Sequence, residues 1–213
     1  MSKYRVSAFI DGFNLYHAVD DYKEQHLKWV DPWKLCLQFV PSSDFTLSTI
    51  YYFSAFATWR PDAYKRHREF IKALKGLNVI PIMGRFKKKD RWCWKCNNRW
   101  KDHEEKETDV NIAIHMLRES YKKSFDQLLL ISGDSDLVPA IRMIRNECPG
   151  IGIKIIIPVA RQYSGDLIEA AGGKEYVKKM KKLHVERSLL PREVLDSSGR
   201  VVAIRPRKYD PPI

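Results

Sequence analysis

The feature that most constrains this chain is an alternation repeated along its length. Apolar runs at residues 5–10, 47–56, 79–83, 125–132 and 152–158 are separated by stretches whose apolar residues recur every three or four positions. Short, near-continuous apolar runs are what strands buried on both faces require. The intervening stretches read as helices. Leu15, Val19 and Tyr22 share one face of 12–22, and Phe70, Leu74 and Leu77 share one face of 62–77. Asp31 and Pro32 open a helix over 33–39, and Thr108 is expected to N-cap one over 108–122. Further helices fit 136–147 and 164–171. Strand and helix in sustained succession predict an α/β fold, a mainly parallel sheet covered on both faces.

Two of the apolar runs end in acid. Phe9-Ile10 leads into Asp11-Gly12-Phe13-Asn14, and Leu128 to Ile131 leads into Ser132-Gly133-Asp134-Ser135-Asp136. In parallel sheets, sites form beyond the carboxyl ends of the strands. If these two strands are neighbours, Asp11, Asp134 and Asp136 converge, and Asp109 at the head of the preceding helix can join them. Asn14, one turn into the first helix, can point back to the same place. Oxygen donors without His or Cys suit Mg²⁺ or Mn²⁺ rather than Zn²⁺. Such an ion can activate water against a phosphodiester. The competing reading is structural: an Asp after a strand is a common helix N-cap. No GxxxxGK[ST], no complete GxGxxG and no GxSxG occurs, so P-loop, dinucleotide and serine-hydrolase chemistries lack their motifs.

The formal net charge of +12 favours an anionic partner, nucleic acid before acidic membrane. The longest apolar runs are too short to span a bilayer. The N-terminal stretch has Arg5 and Asp11 bracketing its few apolar residues, unlike a signal peptide. The four cysteines Cys36, Cys93, Cys96 and Cys148 are therefore expected to be reduced, and the protein cytoplasmic.

FIDGFNLY, EKETDVNIAIHML and LLLISGDSDLVPAI, in this order and spacing, resemble the NYN domain, a branch of the PIN-like nuclease superfamily, in its LabA-like form. The resemblance covers roughly residues 4–172. It implies a Rossmann-like three-layer α/β/α sandwich and a Mg²⁺- or Mn²⁺-dependent ribonuclease leaving 5′-phosphate and 3′-hydroxyl ends. On the matching positions, Asp11, Asp109, Asp134 and Asp136 are the metal-site acids, Asn14 their polar partner and Ser132 a residue that orients phosphate. It also implies RNA as partner and a nuclease domain over 1–187, with a C-terminal extension over 188–213. One position departs from the pattern: Glu107 stands where the family often has glycine. A non-catalytic RNA-binding module on the same fold, and a phosphatase-like hydrolase, remain as alternatives. The sequence leaves homo-oligomer formation open.

Residues 85–107 break the alternation and read as a long functional loop. Arg85 to Lys101 holds eight basic residues and one acidic one, interleaved with Phe86, Trp92, Trp94 and Trp100. Cations hold phosphates and aromatics stack on bases, so Arg85, Lys87, Trp92, Trp94 and Lys106 are candidate RNA contacts. The competing reading is packed tryptophans and solvated lysines. Cys93 and Cys96 have CxxC spacing, and His103 is a third candidate zinc ligand with no fourth nearby. Free thiols rank first here, an atypical or shared zinc site second and redox activity third. His17 and His115 read as helix packing or surface residues.

Overall fold

The computed structural model describes residues 3–158 and 164–212. Nine strands and seven α-helices are formed by the described residues. The main sheet comprises β1 (Tyr4–Asp11), β2 (Phe45–Ala55), β3 (Ile80–Trp92), β4 (Arg99–Lys106), β5 (Gln127–Ile131), β6 (Gly152–Ile157) and β7 (Val177–Lys179). Their order across the sheet is β4-β3-β2-β1-β5-β6-β7. All neighbours are parallel except β3 and β4. The chain winds outward from β1 to β3 on one side, then returns to start β5 on the other. β1 and β5 therefore flank the point where the winding reverses, and a crevice opens there.

Period-two alternation divides each strand between two cores. Val6, Ala8 and Ile10 of β1 join Leu129 and Ile131 of β5 on one face. Leu15, Leu35, Ile71 and Leu74 cover that face, from α1 (Gly12–Asp20), α2 (Pro32–Leu37) and α3 (Pro61–Gly76). Phe9, Leu128 and Leu130 point the other way. Ile112, Ile141 and Leu167 cover them, from α4 (Thr108–Tyr121), α5 (Val138–Glu147) and α6 (Gly165–Ala171). Burying a Leu, Ile or Phe fully is worth roughly 1.5–3 kcal/mol. The two dry faces thus supply most of the drive that fixes the register. The three-layer α/β architecture is the one expected.

Four local features differ from the sequence reading or add to it. The segment expected to be a long loop is a two-stranded antiparallel ribbon, with Arg85 opposite Lys106 and Trp92 opposite Arg99. Its residues are mostly exposed, so no apolar alternation marks them as strand. Lys174 to Arg187 splits into β7 and α7 (Lys182–Glu186). The C-terminal residues fold back as a hairpin, β8 (Glu193–Leu195) with β9 (Val201–Ile204). That hairpin buries Val194 and Ala203 against Trp29 and Ala73, and Trp29 Nε1–H donates to the Pro191 carbonyl at 2.9 Å.

The fourth change concerns Thr108, which is not a cap but the first residue of α4. Glu107 precedes the helix in the left-handed region, at φ 81°. A left-handed backbone costs a non-glycine residue roughly 1–2 kcal/mol. The Glu107 carboxylate meets Arg85 Nε at 2.7 Å, an exposed pair that returns at most ~1 kcal/mol. Replacing Glu107 with glycine removes the strain and the pair together, whereas alanine removes only the pair. We expect Glu107→Gly to unfold in urea at or above the wild-type midpoint, and Glu107→Ala below both. The reverse order would contradict this account of the turn.

Candidate active site

The register Ile10 to Ile131 places Asp11 and Ser132 side by side, one residue beyond the paired ends of β1 and β5. Both follow the Phe9/Leu130 parity, so both face α4. Asp11 is 4% exposed and Ser132 is fully buried. The Ser132 hydroxyl donates to Asp11 Oδ2 at 3.0 Å and accepts from Asp134 N–H at 3.1 Å. Asn14 Oδ1 accepts from Gly133 N–H at 3.2 Å. Two bridges therefore clamp the end of β1 to the turn after β5.

The two capping aspartates, Asp11 and Asp134, also line the acidic cleft. Asp11 caps α1 by accepting from Asn14 N–H at 2.9 Å, through Oδ1. Asp134 accepts from Asp136 N–H at 2.9 Å, also through Oδ1. Asp11 is thus held through both oxygens, whereas Asp134 is oriented through Oδ1 and its Oδ2 carries no hydrogen bond among the described residues. Gly12 is needed because a Cβ there would lie 2.5 Å from the Phe53 carbonyl oxygen, so α1 must begin hard against β2.

Ligand atoms of Asp109, Asp134 and Asp136 lie within 4.8 Å of one another. Asp109 comes from the first turn of α4, where the helix N-terminus favours negative charge. A cleft of about 180 Å³ opens beside them, lined by Asp11, Asn14, His17, Glu105, Asp109 and Asp134. Burial raises the Asp11 carboxyl to about 6, against the two hydrogen bonds it accepts, with further repulsion from Asp109 and Asp134. Asp109 is likewise raised to about 6, by burial and by repulsion from Asp134, Glu105 and Asp136. An all-oxygen set of three carboxylates, pressed together until one resists ionisation, fits a hard divalent cation.

Two residues of the cleft escaped sequence reasoning. Glu105 sits near the end of β4 and takes hydrogen bonds from the Thr108 hydroxyl and from Thr108 N–H, the latter at 3.1 Å. It lay inside a segment read as a loop, where no face could be assigned. His17 was read as a packing or surface residue, yet it lines the cleft. Its signal was available: His17 stands three residues after Asn14, on the same side of α1. His115 does pack, its ring against Phe53 at 5.5 Å.

The expected RNA-contacting residues are dispersed. Arg85, Lys87 and Lys106 stand on the opposite face of the ribbon from Glu105, by strand alternation. Arg85 pairs with Glu107, and Lys106 pairs with Glu104 at 3.1 Å. Trp92 and Trp94 are 59% and 74% exposed near the ribbon tip. Trp92 is six residues beyond Phe86, about 20 Å along the strand. His103 is not with the cysteines: it opposes Lys88 and stacks on Trp59 at 3.7 Å between ring centroids. A larger cleft of about 310 Å³ adjoins the acidic one and shares Phe13 and His17 with it. Trp59, Phe86 and His103 form its aromatic wall.

A doubly wound α/β sheet with carboxylates gathered at its switch point is consistent with the PIN-like nuclease class. Residues 5–174 match the NYN domain, and the chain belongs to that family. A structure of a protein of unknown function from Vibrio parahaemolyticus shares the fold, with TM-score 0.58 and 18% identity over 88% of this chain and 97% of that one. A 71-residue segment is 32% identical to 6-hydroxy-3-succinoylpyridine 3-monooxygenase HspA of Pseudomonas putida. That match spans 32% of this chain and 22% of the relative's length. No helix among the described residues is long and apolar enough to cross a membrane.

The raised carboxyls have a consequence for stability. A fold that raises an Asp pKa favours the protonated form, so it suffers no penalty below the ordinary value of 3.8 and loses stability as pH rises through about 6. Asp109→Asn removes the repulsion. Allowing for solvent screening at this half-exposed group, we expect a gain of about 1 kcal/mol at pH 7.5 in chelator, a melting rise of about 2–4 °C. The difference should vanish at pH 3.5, and millimolar Mg²⁺ should stabilise wild type but not the variant. Scanning calorimetry at the two pH values checks this.

Proposed function

We propose that this protein is a divalent-metal-dependent ribonuclease acting on single-stranded RNA. The observation that carries the reading is the convergence of Asp109, Asp134 and Asp136 at the β1/β5 switch point, beside an aromatic cleft. These three carboxylates would hold Mg²⁺ or Mn²⁺, with Asp11 and Glu105 adding negative charge from the same cleft. When bound, the ion supplies Lewis acidity towards the phosphodiester and its nucleophile.

The chain's own groups do the rest. Ser132 holds Asp11 and Asp134 in register, so the acidic edge is fixed before substrate arrives. Asn14 fixes the Gly133 amide and with it the turn that aims Asp134. His17 lines both clefts and stands where an RNA phosphate would pass between them. The aromatic cleft takes a nucleobase next to the scissile phosphate, stacked on the Trp59/His103/Phe86 wall; base–aromatic stacking is worth roughly 1–3 kcal/mol. Net charge of +12 draws the polyanion to the surface. The acidic edge then needs the cation to accept a phosphate at all.

Labelled single-stranded RNA is incubated with wild type and Asp134→Asn, each in Mn²⁺ and in EDTA. We expect cleavage by wild type in Mn²⁺ alone and a loss on the order of 100-fold or more in the variant. RNA bound but not cut by wild type would leave a binding module. Phosphate released from small esters without RNA cleavage would favour a phosphatase.

Protons compete with the cation for Asp109, and a proton on Asp11 removes negative charge from the same cleft. At limiting Mn²⁺ the rate should fall as pH drops through about 6, and extra Mn²⁺ should restore it. Trp59→Ala should raise KM about tenfold with kcat little changed, as expected for lost stacking.

A further inference from the structure

The tip of the β3–β4 ribbon takes no part in the function proposed above. Its turn is closed by Cys93 N–H donating to the Asn98 carbonyl at 2.9 Å. The chain passes through Asn97 at φ 53°, a left-handed position that asparagine tolerates. Inside the turn, the backbone N–H groups of Lys95 and Cys96 both donate to Cys93 Sγ. The Cys96 thiol lies within hydrogen-bonding reach of the same sulfur. Neighbouring sulfurs in a tetrahedral zinc shell, with Zn–S of about 2.3 Å, stand about 3.8 Å apart. The turn therefore offers two of the four ligands of a four-thiolate shell.

The other half is not supplied by the same ribbon. No third Cys, His, Asp or Glu assembles with this pair among the described residues. His103 opposes Lys88, five residues short of Cys93, which is about 16 Å along the strand. Structural zinc takes four protein ligands, so two must come from another molecule. The surroundings fit a partner. Cys96 is exposed, and Trp92, Trp94 and Trp100 leave 59%, 74% and 46% of their surfaces open around the turn. By strand alternation Trp92 and Trp100 lie on opposite faces of the ribbon, so exposed tryptophan flanks the turn on both sides, apolar surface of the kind that marks contacts.

We propose that Cys93 and Cys96 bind one zinc ion together with the same two residues of a second copy of this chain, clasping two ribbon tips in a dimer. Each thiol gives its proton to solvent on binding, and no redox change occurs. Zinc with four thiolates carries a net charge of −2. Lys95, Arg99 and Lys101 border each turn and offset it, while Arg91 is paired with Asp102. Without the ion, the same positive charges oppose tip-to-tip contact. The dimer should therefore depend on metal. The proposal is independent of the ribonuclease reading, since it concerns neither the acidic residues nor cleavage.

Metal-free, reduced full-length protein is titrated with Co²⁺ while sulfur-to-cobalt charge-transfer absorption and light-scattering mass are followed. Absorption from sulfur ligation ignores any cobalt held by carboxylates. We expect saturation at half an equivalent of sulfur-bound cobalt per chain, a doubling of mass, and displacement of the band by one zinc ion per dimer. Native mass spectrometry should show a dimer carrying a single tip-bound metal. The Cys93→Ser/Cys96→Ser double variant, checked for folding by circular dichroism, should stay monomeric and give no band. A band that saturates at one equivalent per chain without a change in mass would overturn the proposal. So would the absence of any band, or a dimer that persists in the double variant.

Discussion

One hydroxyl holds the site together. Ser132 donates to Asp11 at the end of β1 and accepts from the Asp134 amide just after β5. Those residues are more than a hundred positions apart in the chain, and only the parallel pairing of β1 with β5 makes them neighbours. The hydroxyl has one proton and two lone pairs, so it can serve a carboxylate and an amide together. Alanine there would leave a buried carboxylate short of a donor and an amide short of an acceptor, a desolvation cost of roughly 1–3 kcal/mol for each group. The acidic edge is held in place by this bridge and by the matching one from Asn14 to Gly133.

Clamping carboxylates together has an electrostatic cost, which appears in Asp11 and Asp109. Burial is the larger cause in both, and neighbouring acids add to it. A cation would relieve that repulsion at an edge where hydrogen bonds already orient Asp11 and Asp134. Preorganisation of this kind is what distinguishes a site from a chance crowding of surface acids. The two readings of an Asp after a strand, cap or ligand, thus turn out to be compatible. Asp134 caps with one oxygen and keeps the other without a hydrogen-bond partner among the described residues.

The parts of this arrangement legible in the sequence are those where burial writes a pattern. The core strands announced themselves because both faces are dry, and the acids at two strand ends followed from the parallel sheet. Asp31 as a cap was legible from local chemistry, and it does accept from Trp33 and Lys34 amides. The ribbon was not legible. Its residues alternate in charge and size but hardly in burial, so a strand there has no hydrophobic signature. Thr108 looked like a cap because its hydroxyl is of the right type. The hydroxyl instead bonds Glu105 within the preceding strand, while Glu107 takes the turn. Glu105 and Trp59 reach the site through tertiary packing alone.

The register of that ribbon decides the sign of the charge it delivers. Alternation sends Glu105 towards the cleft and turns Glu104 and Lys106 to the opposite face. A one-residue slip that brought Lys106 to that position would put an ammonium in place of a carboxylate in the acidic cleft. Three contacts oppose the slip. Glu105 is bound by Thr108 at the root of α4. Arg85 is paired with Glu107 across the turn. Gly84 has its Cα pressed so near the Lys106 carbonyl that a Cβ would approach it to 2.7 Å. The left-handed backbone at Glu107 is what lets β4 pass directly into α4 while both ends of that turn stay bonded. The strain at Glu107 is therefore the local cost of joining the ribbon to the helix that carries Asp109, and it couples the ribbon's register to the geometry of the acidic edge.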